Sequence, residues 1–153
     1  MLPSAASSKT HSLDIGYVFR NPALLEQALT HASYAHENGT QDNETLALLG
    51  DALVNAVFTW KLYQQTPKAS PGVLTERRKS LVSQAALAET AERMKLDSFL
   101  RVGKGERYKS PRMLADVFES LVGSLFLDGG LPAAVSFLER VFHAFEGNER
   151  ASD

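Results

Sequence analysis

At 153 residues, with 44% hydrophobic and 22% charged residues, the chain has the composition of one globular domain able to bury a core of its own. It contains no cysteine, which excludes disulfides and thiolate zinc sites. Its four histidines (His11, His31, His36, His143) lack a paired ligand spacing, so any metal must be held by oxygen, as magnesium or manganese is. The formal net charge of −2 excludes nucleic-acid binding by overall basicity.

Residues 1–12 are small and polar, with Lys9 the only basic side chain and no apolar run of the secretory kind, and are expected to be a flexible N-terminus. Asn21-Pro22 then reads as a cap followed by proline in the first helical turn, and Leu24, Leu25, Ala28 and Leu29 recur at helical spacing, which predicts a first helix running to about Tyr34. The segment 36–42 is polar, with a turn signal at Asn38-Gly39. Asn43 is placed to cap a second helix over 44–65. It carries Leu46, Leu48, Leu49, Ala52, Leu53, Ala56, Val57, Trp60 and Leu62 around most of its circumference, as a central helix would.

Pro67 ends that helix, and Ser70-Pro71 starts another that continues through Leu74, Leu81, Val82, Leu87 and Ala88; the pattern leaves open a break near Ser83-Gln84. Residues 95–112 form a basic loop punctuated by Gly103, Gly105 and Pro111. A helix over 112–127 is stopped by Asp128-Gly129-Gly130, and Pro132 opens a last helix with Val135, Leu138, Val141, Phe142 and Phe145 on one face. No alternating run of β-branched residues and no repeat competes with these helices. The expected class is all-α, with one domain over 13–147 and a tail over 148–153. Apolar stretches are interrupted by charge or glycine before the ~18 residues a bilayer span needs, so the expectation is a soluble cytoplasmic protein with no membrane contact.

The informative residues are acids inside apolar helices. Asp51 lies between Leu49 and Leu53, while Asp116 and Glu119 lie within the run from Leu114 to Val122. A buried carboxylate is costly unless a cation, a donor or water compensates it. Asp116 and Glu119 share a helix face at i and i+3, and Gly123 one turn on leaves that face free of bulk; Glu44, Ala47 and Asp51 share a face on the other helix, beside Gly50. Two such helices packed together would gather carboxylates around an oxygen-ligated ion. An isolated Asp-x-x-Glu is a weak motif, and the usual fate of a helical acid is an exposed pairing with Lys or Arg.

These residues resemble a known family. The run Asn43-Glu44-Thr45-Leu46-Ala47-Leu48-Leu49-Gly50-Asp51-Ala52 is similar to the signature of the ribonuclease III catalytic domain, commonly Asn-Glu-Arg-Leu-Glu-Phe-Leu-Gly-Asp-Ala. Upstream, Leu29-Thr30-His31-Ala32-Ser33-Tyr34 resembles its Leu-Thr-His-x-Ser-Tyr element. Downstream, Gly103-Lys104-Gly105-Glu106 and then Leu114-Ala115-Asp116-Val117-Phe118-Glu119-Ser120-Leu121-Val122-Gly123, with Leu127-Asp128 trailing, resemble the segments before and within its last catalytic helix. The resemblance covers roughly residues 15 to 142. It implies the family's helical fold, a homodimer, double-stranded RNA as substrate, Mg2+ or Mn2+ as cofactor, and products with 5′-phosphate and 3′-hydroxyl ends. It implies Asp51, Asp116 and Glu119 as metal ligands, Asp51 and Glu119 as catalytic, and Glu44 in support.

The departures are specific. Ala47 stands where the family usually has a fourth metal-site glutamate, Leu48 where it has an aromatic, and Pro71 where an acid often precedes a glycine; the loop over 107–112 is short. The family's C-terminal double-stranded-RNA-binding domain is expected to be absent, as in the small stand-alone members. Two readings follow: a three-carboxylate enzyme, or an impaired RNA-binding or ribosome-associated assembly module. The joint presence of Asp51, Asp116 and Glu119 favours the enzyme.

Between Glu76 and Arg112 stand ten Lys or Arg against five acids. By itself this is an ordinary solvated face. The resemblance makes Lys104, Arg107, Lys109 and Arg112 the candidates for RNA backbone contact, since A-form RNA is gripped through phosphate and 2′-hydroxyl groups. His31 is expected to orient a loop or helix end, Trp60 and Tyr63 to lie in the core or at a dimer surface, and Leu48, Leu49 and Val54 to serve a dimer contact.

Overall fold

The computed structural model describes residues 13–149; the expected flexible N-terminus (1–12), the end of the expected tail (150–153) and the side chain of Phe145 lie outside the described residues. Six α-helices follow in order: α1 (Pro22–Ala28), α2 (Ala32–Asn38), α3 (Glu44–Gln65), α4 (Pro71–Val82), α5 (Gln84–Arg93) and α6 (Pro111–Glu149), with a 3-10 turn at Leu96–Ser98. Among the described residues the extended pairing is one isolated parallel bridge, Thr30 with Arg101, so the class is all-α.

The long first helix expected from Asn21 is two short ones. Asn21 does cap α1, its Oδ1 accepting from the Ala23 N–H at 3.2 Å. The chain breaks at 29–31 because its peptide groups there are bonded to distant partners. The Arg101 N–H donates to the Leu29 carbonyl (2.8 Å), the Arg101 carbonyl accepts from the His31 N–H (2.9 Å), and the Asn43 N–H donates to the Thr30 carbonyl (2.9 Å). Helix α2 consequently runs through Asn38, further into the expected loop, and ends at Gly39.

Asn43 was expected to cap α3 with its side chain, and it does not. It is buried, and its Nδ2 donates instead to the Ala28 carbonyl (3.2 Å), which also accepts from the buried Ser120 hydroxyl (2.7 Å). The Glu44 N–H is taken by Asp42 Oδ1 at 3.0 Å. The break near Ser83 is real: with ψ at 156° it leaves the helix, and its Oγ accepts from the Ala86 N–H to cap α5. At the C-terminal end, α6 begins at Pro111 and is interrupted at Gly130 (φ 74°, ψ −175°), a conformation that spares glycine the Cβ penalty, two residues before Pro132.

Helices α3 and α6 form the centre. Val54, Val57 and Phe58 of α3 and Val117, Phe118, Leu121, Val122 and Leu125 of α6 are buried in one core with Leu87, Ala88 and Ala91 of α5, and Leu46 and Leu62 of α3 are also buried. Val54, expected at a dimer contact, is 0% exposed and belongs to this core. By length and composition Glu44–Gln65 and Pro111–His143 would each suffice to cross a membrane, against the expectation from uninterrupted runs, while Val54, Val57 and Phe58 of the first and Val117, Phe118, Leu121, Val122 and Leu125 of the second are buried in the core. Helix α4 contributes no buried residue and lies at the periphery.

The α3–α6 crossing is backbone on backbone. A Cβ added to Gly50 would sit 1.7 Å from the Glu119 carbonyl oxygen, and one added to Gly123 would sit 2.3 Å from the Leu46 carbonyl oxygen. A methyl at either place must push a main chain rather than a side chain. Gly50→Ala is therefore expected to lower the unfolding free energy by about 2–3 kcal/mol in urea denaturation, while Gly105→Ala, where an added Cβ meets open space, leaves it unchanged.

Candidate metal and RNA site

The crossing at Gly50 places the neighbouring Asp51 of α3 against Glu119 of α6, with their carboxyl groups in hydrogen-bonding contact. Asp116 lies on the same face one turn before Glu119, where Glu44 from the start of α3 adds its negative charge. The three predicted ligands and the supporting acid thus come from two helices to one locality. Asp51 is exposed, and Asp116 and Glu119 are half-buried.

Burial pushes the Glu119 carboxyl up to about 8, with the charges of Asp51 and Asp116 and the hydrogen bond to Asp51 acting in the same direction. Near neutral pH Glu119 is therefore protonated and donates to Asp51. Asp116 is also raised, by burial first and Glu44 last, against the pull of Arg112, whose Nε is 3.9 Å away, and of His31. Like charges crowded in a partly dry cleft are relieved either by a proton or by a cation. The donor set is all oxygen, which suits a hard divalent ion. Among the described residues no three His, Asp or Glu side chains stand close enough together to form a ligand cluster.

Ala47, on the Asp51 face one turn earlier, is 6% exposed and supplies no carboxylate. One polar neighbour escaped the sequence reading. Asn55, one turn after Asp51, donates from Nδ2 to both Asp51 Oδ1 and the Asp51 carbonyl, each at 2.9 Å, and so holds the carboxylate's orientation. The i, i+4 spacing of Asn55 after Asp51 was the available signal.

His31 caps α2, as expected of a histidine orienting a helix end. Its Nδ1 accepts from the Ser33 N–H (3.2 Å) and is 2.7 Å from Ser33 Oγ, which in turn accepts from the Gly103 N–H at 2.8 Å. Glu37 accepts from the Lys104 N–H through Oε1 (3.0 Å) and Oε2 (3.2 Å). The basic loop is therefore fastened by its backbone to α2. Lys104 and Arg107 are exposed, Arg112 is exposed beside Asp116, and the ammonium of Lys109 already donates to the Asp97 carbonyl. Ser33 entered the sequence reading only as part of the Leu-Thr-His-x-Ser-Tyr element and Glu37 only as part of a polar loop, because a side chain that holds a distant backbone leaves no local pattern.

Asp128 also has a structural task. It accepts from the Tyr17 hydroxyl (2.8 Å) and the N–H groups of Arg20 (2.7 Å) and Asn21 (2.9 Å), which binds the segment before α1 to α6. Burial would raise its carboxyl, but these three donors outweigh it and hold it below the ordinary range. On the outer face of α3, Leu48 is 74% exposed, and Ala52, Ala56, Trp60 and Tyr63 continue an exposed apolar stripe at helical spacing.

A family model described as Ribonuclease-III-like matches residues 21–144. The chain is 42% identical over 134 residues to "Ribonuclease 3" of Bdellovibrio bacteriovorus, with 84% of this chain and 57% of the relative covered. It is 45% identical over 132 residues to "Ribonuclease 3" of Oleidesulfovibrio alaskensis, covering 82% of this chain and 58% of that protein, so it spans less than two-thirds of the length of these relatives. Its fold is similar to the nuclease domain of ribonuclease III from Campylobacter jejuni, with TM-score 0.78 and 27% identity, covering 90% of this chain and 94% of that one. That domain has structural flexibility in a region involved in dimer formation.

A carboxyl raised from 4.5 to about 8 keeps its proton in the folded protein after the unfolded chain has lost it, so its contribution to stability is present below about pH 4.5 and lost as the pH rises through 8. In chelator, the melting temperature is expected to fall by roughly several degrees between pH 5 and 8, and Glu119→Gln, which cannot titrate, is expected to flatten that slope in a thermal melt series.

Proposed function

Because the chain belongs to the ribonuclease III family, we propose that it is a divalent-metal-dependent endoribonuclease that cleaves double-stranded RNA to 5′-phosphate and 3′-hydroxyl ends. The observation that carries this reading is the glycine-lined crossing that presses Asp51 against Glu119, with Asp116 one turn away. Asp51, Asp116 and Glu119 would hold Mg2+ or Mn2+. Once bound, such an ion supplies Lewis-acid activation of water and neutralises charge on the leaving oxygen.

The protein's own groups prepare that chemistry. Asn55 fixes the rotamer of Asp51, and Glu119 must surrender the proton it shares with Asp51 before it can act as a ligand. Glu44 deepens the negative potential at Asp116. Arg112 sits where it offsets Asp116 in the absence of a cation and is free to turn toward a phosphate in its presence. Lys104 and Arg107, presented by a loop whose backbone is tied to α2, supply phosphate contacts. The exposed stripe of Leu48, Ala52, Ala56, Trp60 and Tyr63 is the surface on which two copies would pair, bringing two sites to one duplex so that each cuts one strand.

The second reading, an impaired RNA-binding or assembly module, is favoured by one observation: Ala47 leaves the ligand face of α3 one carboxylate short. Incubation with a labelled RNA duplex in Mg2+, Mn2+ and chelator separates the two. The enzyme is expected to cut only with metal, to lose cutting in Glu119→Ala, and to be slowed about 10- to 100-fold in Asn55→Ala. Duplex affinity should fall about tenfold or more between 50 and 200 mM salt. Binding without cutting in either metal, with cutting gained in Ala47→Glu, would establish the second reading.

A further inference from the structure

Tyr108 is 71% exposed in the middle of the basic loop, with Lys104, Gly105, Glu106 and Arg107 before it also exposed. Tyrosine pairs an apolar ring with a polar tip, which suits a wet interface, and among the described residues nothing covers this one. The loop around it is held firmly. Ser33 and Glu37 bind the backbone at Gly103 and Lys104, the Glu106 N–H donates to the Gly103 carbonyl (3.0 Å), Lys109 reaches the Asp97 carbonyl, and Ser110 Oγ accepts from the Met113 N–H. A ring projecting from such a fastened loop is presented in a defined place, three residues before the helix that carries Asp116 and Glu119.

Three properties meet there. The flanking cations Lys104 and Arg107 call for a polyanion. The position, eight residues before Asp116, puts the ring in the segment that leads into the helix carrying the carboxylates. The phenol offers a hydroxyl that both donates and accepts. On an A-form duplex the surface within reach of a side chain is the wide, shallow minor groove, which displays rows of 2′-hydroxyls between its phosphate ridges. Resting on the endoribonuclease reading above, we propose that Tyr108 is a specificity residue: its hydroxyl oxygen accepts a hydrogen bond from a ribose 2′-hydroxyl in the minor groove while Lys104 and Arg107 hold the adjoining phosphates, so that the loop tells RNA from other duplexes of like charge. Lys109 is left as the brace of the loop rather than a phosphate contact.

The test uses a Glu119→Ala background, which keeps the duplex intact, and fluorescence anisotropy in Mg2+ with three labelled duplexes of one sequence: RNA, 2′-O-methyl RNA, which stays A-form but cannot donate from the sugar, and DNA. Adding Tyr108→Phe should weaken RNA binding roughly three- to tenfold, the effect of one lost hydrogen bond. It should leave binding of the 2′-O-methyl duplex unchanged, so that the preference for RNA shrinks. Tyr108→Ala should lose the same preference and some further affinity for every duplex. Because the side chain is exposed, both variants should melt with the parent. If Tyr108→Phe keeps the parent's affinity and preference, the proposal is wrong while the endoribonuclease reading stands. If the parent binds no RNA duplex, both fall together.

Discussion

Two main chains touch where Gly50 and Gly123 meet α6 and α3, and the remaining architecture follows from that approach. A side chain on either glycine would have to occupy the space of a carbonyl oxygen on the opposite helix. With hydrogen there instead, the helices close enough to bury Val54, Val117, Phe118 and Val122 between and around them, and α5 covers what they leave. The same closeness brings acids from both helices into one cleft. Packing and chemistry are therefore not separable at this crossing: the contact that stabilises the core is the one that crowds Asp51 and Glu119 until one of them takes a proton.

The segment 28–31 is a second, subordinate hub. The carbonyls of Ala28, Leu29 and Thr30 are not used by a continuing helix and are instead taken by Asn43, Ser120 and Arg101, groups drawn from three different parts of the chain. The Arg101 guanidinium adds a bond to the Glu26 carbonyl (3.0 Å) and lies over the Tyr34 ring, 5.0 Å from its centre. These bonds fix the start of α3 relative to α6, and through His31 and Ser33 they also fix the basic loop. The acid cleft and the basic loop are thus referred to one frame, as positioning the proposed duplex substrate would require.

Much of this was legible in the sequence because it is written locally. Cap-then-proline pairs at Asn21-Pro22 and Ser70-Pro71, and the apolar runs of α3 and α6, located most of the helices; the i, i+3 spacing of Asp116 and Glu119 and the glycines beside the acids located the cleft. What escaped depends on partners far along the chain. The break between α1 and α2 is made by Arg101, more than seventy residues away, and the propensity of Leu29-Thr30-His31 for helix carries no trace of it. Asn43 looks like a cap and spends its amide on the Ala28 carbonyl instead, while Asp42 Oδ1 accepts from the Glu44 N–H. Val54 and Leu48 are both apolar on an apolar helix, and only the packing shows that the first is core and the second faces outward.

On the proposed reading, Asp51, Asp116 and Glu119 would hold a divalent cation at the crossing of α3 and α6. Calorimetric titration of the protein with Mn2+ in buffers of different ionisation enthalpy addresses it directly. A site built as described binds the ion with release of a proton, because Glu119 is protonated near neutral pH before the ion arrives, and each of Asp51→Asn, Asp116→Asn and Glu119→Gln weakens that binding. Mn2+ binding that is indifferent to any one of the three substitutions, or no binding at all, would contradict it.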